Sequence, residues 1–203
     1  MKTPPLDQRL ARILVAPLAH SSVRPNHITA LTLILVICAG VLFAFNDATF
    51  SDWAAGIFVI ARFLDHFDGE LARLQGTKSK FGYYFDYVVG GVGYAALFLG
   101  LGFGYWQSDL GDLALFLGLC GAVSAIISLF INLQIDKEID NLSAGTAIGY
   151  PSLLGFELED GIYLLAPITW LGFLEPFFIA AGIGASIYCF WTIFSLAHIR
   201  FKG

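Results

Sequence analysis

Long uncharged runs alternate with short polar breaks along this chain. A membrane-spanning helix needs about 20 predominantly apolar residues, and runs of that order occupy Ile28–Phe45, Tyr87–Trp106, Leu113–Ile135 and Pro176–Ala197. Two weaker segments join them. Trp53–Leu64 holds Arg62 and runs into acidic residues, and Gly161–Leu174 is short and contains Pro167. The pattern predicts an all-α, polytopic membrane protein with six transmembrane helices, forming a bundle over 28–199 of a single domain that covers 1–203. Ahead of the first span, Leu6, Leu10, Ile13, Leu14 and Leu18 recur at helical spacing, with Arg9 and Arg12 among the more polar positions. That is the pattern of an amphipathic helix lying in the membrane interface. Arg24-Pro25-Asn26 ends it, so residues 1–27 form the interfacial helix and lead-in.

Basic residues orient the predicted spans, because Lys and Arg concentrate in cytoplasmic segments. With six spans, one face collects Lys2, Arg9, Arg12, Arg24, Arg73, Lys78, Lys80, Lys137, Arg200 and Lys202. The opposite face, made by the loops near Asn46–Asp52, Gln107–Asp112 and Gly172–Glu175, holds neither Lys nor Arg. Both termini are therefore expected in the cytoplasm, and an inner bacterial membrane is the expected location. The composition agrees: 57% of residues are hydrophobic and 13% charged. A net charge of −5 leaves no basic patch for nucleic acid. Cys38, Cys120 and Cys189 stand alone in apolar stretches, which suggests neither a disulfide framework nor a zinc site. The first apolar run begins at Ile28, behind a long polar and amphipathic lead, and is read as a retained span rather than a cleavable signal.

Charge enters the apolar pattern where it is costly. From Ala61 to Gly90 the sequence reads ARFLDHFDGELARLQGTKSKFGYYFDYVVG. Intramembrane carboxylates of this kind usually mark function. On a helix, Asp65, Asp68, Gly69 and Ala72 fall at i, i+3, i+4 and i+7, so two carboxylates and two small residues share a face. Asp86, early in the next apolar segment, could meet them if the two helices pack as an antiparallel hairpin around Leu74–Phe81. Oxygen ligands without His or Cys favour Mg²⁺, Mn²⁺ or Ca²⁺. Arg62, one turn before Asp65, is placed either to pair with it or to reach a substrate phosphate.

The spacing Asp65-x2-Asp68-Gly69-x2-Ala72-Arg73-x8-Gly82-x3-Asp86-x3-Gly90 resembles the CDP-alcohol phosphotransferase motif, and Pro25-Asn26-His27-Ile28-Thr29 is similar to the Pro-Asn-x-x-Thr that opens that family's first helix. The resemblance implies metal-dependent transfer of a phospho-alcohol group from a CDP- or CMP-linked donor to an alcohol or lipid alcohol in phospholipid synthesis. It implies a cytoplasm-facing site and a homodimer. It also implies two Mg²⁺ or Mn²⁺ ions, with Asp65 and Asp86 bridging them and Asp68 binding one. Asn26, Thr29, Gly69, Ala72, Arg73, Ser79 and Gly82 would form the nucleotide and diphosphate site. Gly69, Ala72 and Gly82 suit close approach of a nucleotide to backbone, and Arg73 supplies a cation for phosphate oxygens.

Gly90 departs from the motif. The family places there an Asp that helps hold a metal and is thought to deprotonate the acceptor hydroxyl, and glycine does neither. General-base catalysis typically contributes about 10²–10⁴-fold, so poor turnover is expected. Three explanations stand open: an altered chain, an inactive relative that binds cytidine nucleotide or lipid, or an active enzyme using His66 or a water as base. The segment from Asp136 to Asp160 carries six acidic residues against Lys137 and offers no Arg or Lys cluster for an acceptor's phosphate. A neutral or cationic alcohol is therefore the expected acceptor. A small transporter fits the helix count, but there is no inverted repeat to support it.

Overall fold

A computed structural model of the chain describes residues 6–138 and 158–202. Among these residues the regular structure is entirely helical. The helices are α1 (Leu6–Val15), α2 (Pro25–Phe43), α3 (Ala48–Gln75), α4 (Lys80–Tyr105), α5 (Asp112–Glu138), α6 (Leu165–Trp170) and α7 (Leu174–Lys202), with short 3₁₀ segments before α2 and α6.

Four helices, α2, α4, α5 and α7, are long and apolar enough to cross a membrane. They coincide with the four uncharged runs: each begins before its run, α5 and α7 also end beyond it, and α2 and α4 stop just short of its end, at Phe43 and Tyr105. The expected count of six is not confirmed, and both weaker segments differ from expectation. Trp53–Leu64 is the middle of a single 28-residue helix that continues through the acidic motif to Gln75, and its charges exclude it on composition. Gly161–Leu174 comprises a 3₁₀ segment, the six-residue α6 and a break before α7. Pro167 lies in the first turn of α6, where its missing N–H is harmless.

Close backbone approach organises the bundle. A Cβ at Gly100 of α4 would collide with the carbonyl oxygen of Gly40 on α2, and one at Gly40 would lie 2.7 Å from the Ala96 carbonyl oxygen. On another side of α4, a Cβ at Gly102 would sit 3.0 Å from Gly118 Cα of α5. Small residues take this role in membrane bundles because lipid supplies no hydrophobic drive to press helices together, leaving tight packing as the source of attraction. Residue pairs at both ends fix the directions. Gly82 adjoins Asn26 and Gly104 adjoins Phe43, so α4 runs parallel to α2. Asp68 bonds to Thr29 at one end, while at the other only four residues separate the end of α2 at Phe43 from the start of α3 at Ala48. α3 therefore runs back along the length of α2.

This arrangement corrects the hairpin expected for α3 and α4. α2 packs against both of them, whereas α3 and α4 make no comparable backbone contact with each other. The connection has strong local stops: Gly76 ends α3 in the left-handed region at φ 65°, and the Ser79 hydroxyl caps α4 by accepting from Gly82 N–H at 3.0 Å. With α2 against both helices, α3 and α4 face one another across a cleft that side chains fill.

Val36, Ala39 and Phe43 of α2 meet Ala54, Ala55, Phe58 and Ala61 of α3, Leu97 and Leu101 of α4, and Phe178 of α7 in the main core. The outer surface is apolar too, with Ile34, Phe116, Phe190 and Phe194 all exposed. Trp53, Trp106 and Trp170 are exposed at the end of the bundle opposite Asp68, as expected of an interfacial aromatic belt. α1 rests on α3 by burying Ala11 and Val15, with Val15 joining Ile28 and Leu71 in a second cluster, and leaves Leu10, Ile13 and Leu14 exposed. That division fits the expected interfacial helix.

Gly100→Val should weaken the fold by at least the ~1–3 kcal/mol typical of overpacking, because the obstacle is backbone. Gly184, whose added Cβ would meet nothing within 4 Å, supplies the control. Thermal unfolding in detergent should show a lowered midpoint for Gly100→Val and little change for Gly184→Ala.

Candidate functional site

Residues from three helices line one end of the cleft. Pro25 begins α2 at a position where its ring suits the first turn, and the His27 ring accepts from the Arg24 N–H at 3.3 Å. This start places Asn26 and Thr29 on the first turns of α2. The Thr29 hydroxyl donates to Oδ2 of buried Asp68 in a short hydrogen bond. A Cβ at Gly82 would lie 3.2 Å from Asn26 Oδ1 and 3.1 Å from Ser79 Oγ. Asn26, Thr29, Asp68, Ser79 and Gly82 are thus gathered where α2, α3 and α4 converge.

Deeper in the cleft, Asp86, Gly90 and Tyr94 stand at i, i+4 and i+8 on one face of α4, opposite Phe58, Arg62 and Asp65 of α3. The Arg62 guanidinium pairs with Asp65, Nη1 to Oδ2 at 3.1 Å, and lies over the Tyr94 ring at 5.2 Å from its centroid. A Cβ at Gly90 would lie 3.8 Å from Arg62 Nη1. Asp86 interacts electrostatically with Asp65, Asp68 and Arg62. Oδ1 of Asp65 and Oδ1 of Asp86 are both buried and receive no hydrogen bond. Neighbouring buried carboxylates repel one another when both are ionised unless a cation or a shared proton lies between them.

The residues singled out from sequence fall into three groups. Asp65 and Asp86 come together, and Asp68 is nearby but engaged by Thr29. Among the described residues, no group of three or more His, Cys, Asp or Glu side chains is arranged to hold a metal ion. Arg62 and Thr29 each occupy one carboxylate oxygen, so the three Asp residues do not present a common set of open ligands. The two donor-less oxygens match the chemistry of one hard divalent cation. Gly69 and Ala72 follow Asp68 on α3, and Arg73 Nη2 would lie 3.6 Å from a Cβ at Gly69. Arg73 is half-exposed and ion-paired to buried Glu70 at 2.7 Å.

Glu70 and Tyr94 were not singled out in the sequence. The i,i+3 spacing of Glu70 and Arg73 was an available signal, and Tyr94 lies one turn beyond Gly90 on the face of Asp86. His66 bonds to Tyr163 at 3.2 Å, which turns its ring toward the segment before α6. Most of the acidic segment read as an acceptor loop, residues 139–157, lies outside the described residues.

Comparison with known proteins agrees with this architecture. The sequence pattern of CDP-alcohol phosphatidyltransferases matches residues 22–194. The chain belongs to that family. The family and the relatives that this chain matches are transferases of phospholipid synthesis, and a membrane setting agrees with the four long apolar helices. An archaetidylinositol phosphate synthase of Pyrococcus horikoshii is 26% identical over 185 residues, covering 85% of this chain and 90% of that protein. A CDP-diacylglycerol–glycerol-3-phosphate 3-phosphatidyltransferase of Cereibacter sphaeroides is 40% identical over 63 residues, a stretch spanning 28% of its length. The crystal structure of Mycobacterium tuberculosis phosphatidylinositol phosphate synthase with CDP-DAG bound superposes with a TM-score of 0.70 over 93% of this chain and 94% of that one. At 15% identity that likeness establishes the fold.

The bond between Thr29 and Asp68 yields a direct test of the site's construction. Thr29→Val keeps the side-chain shape and strands a buried carboxyl oxygen, at an expected cost of about 1–3 kcal/mol. Chemical denaturation in detergent, with Thr29→Ser as the variant that retains the hydroxyl, should separate the two by that amount.

Proposed function

We propose that this member of the CDP-alcohol phosphatidyltransferase family binds a CDP- or CMP-linked donor in the cleft between α3 and α4, and that its transfer activity is held low by Gly90. The supporting observation is the pair of buried, donor-less oxygens on Asp65 and Asp86, set beside the cluster of Asn26, Thr29, Ser79 and Gly82. Apolar burial of acidic acceptors is costly, and a cation-bearing diphosphate would offset that cost. Asp65, Asp68 and Asp86 are the residues that would hold Mg²⁺ or Mn²⁺, which supplies charge neutralisation on the departing nucleotide.

The chain's own residues divide the remaining work. The absence of a side chain at Gly82 lets Asn26 Oδ1 and Ser79 Oγ stand together against its backbone as polar partners for a ligand. Arg73 offers a guanidinium that can exchange Glu70 for a phosphate oxygen at the mouth of the site. In the reaction an acceptor hydroxyl oxygen bonds to phosphorus, the bond from that phosphorus to the CMP oxygen breaks, and the hydroxyl proton requires a base. Residue 90 supplies none, and His66 is directed to Tyr163. The same two observations favour a second reading, a relative that binds cytidine nucleotide or lipid without turnover.

The orientation we propose keeps the site at the cytoplasmic face, with α3 crossing beside α2 despite its charges. Its length, about 42 Å at 1.5 Å per residue, suffices. The described cations Arg9, Arg12, Arg24, Arg73, Lys78, Lys80 and Arg200 lie outside the apolar centres of the long helices, in agreement with that orientation.

Calorimetric titration of the detergent-solubilised protein with CMP should show binding that depends on Mn²⁺ and vanishes in Asp65→Ala and Asp68→Ala. Unchanged binding in both variants removes the basis of the proposal. Turnover is a separate matter. Gly90→Asp has room for its Cβ beside Arg62, and it should raise transfer by up to the ~10²–10⁴-fold of a general base. Nucleotide binding with no gain in transfer would favour the non-enzymatic reading.

A further inference from the structure

A buried arginine inside a carboxylate cluster changes how many metal ions that cluster can hold. Arg62 is 13% exposed, its Nη1 is 3.1 Å from Asp65 Oδ2, and its guanidinium lies against the Tyr94 ring. Its charge also acts on Asp86. The three carboxylates of Asp65, Asp68 and Asp86 carry three negative charges when ionised, and Arg62 cancels one. Arg73 also reaches Asp68 electrostatically, but it is paired with Glu70, and the two together leave this sum unchanged. Two negative charges remain, which a single divalent ion balances.

The loss of open ligands points the same way. Asp65 Oδ2 is taken by Arg62 and Asp68 Oδ2 by Thr29, leaving the buried Oδ1 atoms of Asp65 and Asp86 without a donor. Gly90 faces the same space and brings no side-chain oxygen. A second divalent ion bound at Asp65 Oδ2 would have to displace the guanidinium that occupies it. We infer that Arg62 is the resident cation of this site, standing where a second metal ion would otherwise be needed, so that the chain binds one divalent ion and not two. This rests on the reading of the cleft as a cation-dependent site, and departs from the pair of ions that the motif resemblance implies.

Counting bound Mn²⁺ by electron paramagnetic resonance of the purified protein in detergent, without nucleotide, tests the inference independently of activity. The wild-type chain should saturate at one ion. Arg62→Gln, which removes the charge and frees Asp65 Oδ2, should saturate at two, and Arg62→Lys, which retains the charge, should return to one. Two ions on the wild-type chain, or an Arg62→Gln protein that folds by circular dichroism and still holds one, overturns the inference while leaving the cation-dependent reading intact. No ion on the wild-type chain overturns both. The wild-type count alone is decisive if the glutamine variant fails to fold.

Discussion

No side chain fits between α2 and α4 where Gly40 meets Gly100, so the two backbones touch and run parallel. That contact seats α2 against α4 along its length, and α3 comes to α2 from another side through Ala54, Ala55 and Ala61. With both neighbours held by α2, α3 and α4 cannot close on one another. Across the space between them Arg62 and Phe58 of α3 reach the Tyr94 ring of α4. A larger residue at 40 or 100 would therefore act on the site without touching it, by moving one wall.

Charges in that cleft are held by contacts between different helices as well as within one. Thr29 of α2 donates to Asp68 of α3, and Arg62 of α3 reaches the face of α4 that carries Gly90 and Tyr94. The α1 region is joined to the same end of α3: Gln75 donates to the carbonyls of Leu18 and Val23, and Val15 packs on Leu71. α1 and the acidic motif are thereby mechanically connected. Displacement of α1 would act on the helix end that carries Asp68 and Arg73.

Much of this was legible in the residues before any coordinates. The uncharged runs gave the four long helices, because an apolar stretch of that length has few other ways to satisfy its backbone in lipid. The motif spacing pointed to Asp65, Asp68 and Asp86, and the Pro25-Asn26 start to α2. What could not be read was relative placement. A short connection such as Gly76–Ser79 suggests adjacent antiparallel helices, yet the glycines of α4 fit α2 better than α3. Periodicity carries no record of which glycine faces which neighbour. The pairing of Arg62 with Asp65 was an open alternative from the i,i+3 spacing alone, and Tyr94 beneath the guanidinium had no local signal.

Gly90 looks like a simple deletion of function when read in sequence, but its surroundings argue for something more coordinated. A buried guanidinium needs a carboxylate and a polarisable surface, and Arg62 has both in Asp65 and Tyr94. Removing one partner of such a buried pair typically costs about 3–5 kcal/mol because the other charge is left uncompensated. Arg62 is thus anchored by stability whether or not the site turns over. A Cβ at residue 90 would lie 3.8 Å from that guanidinium, so whatever stands there shares the cleft with Arg62. Glycine at that position leaves the arginine committed to Asp65, so the two residues form one arrangement, and the chemistry of the cleft follows from both together.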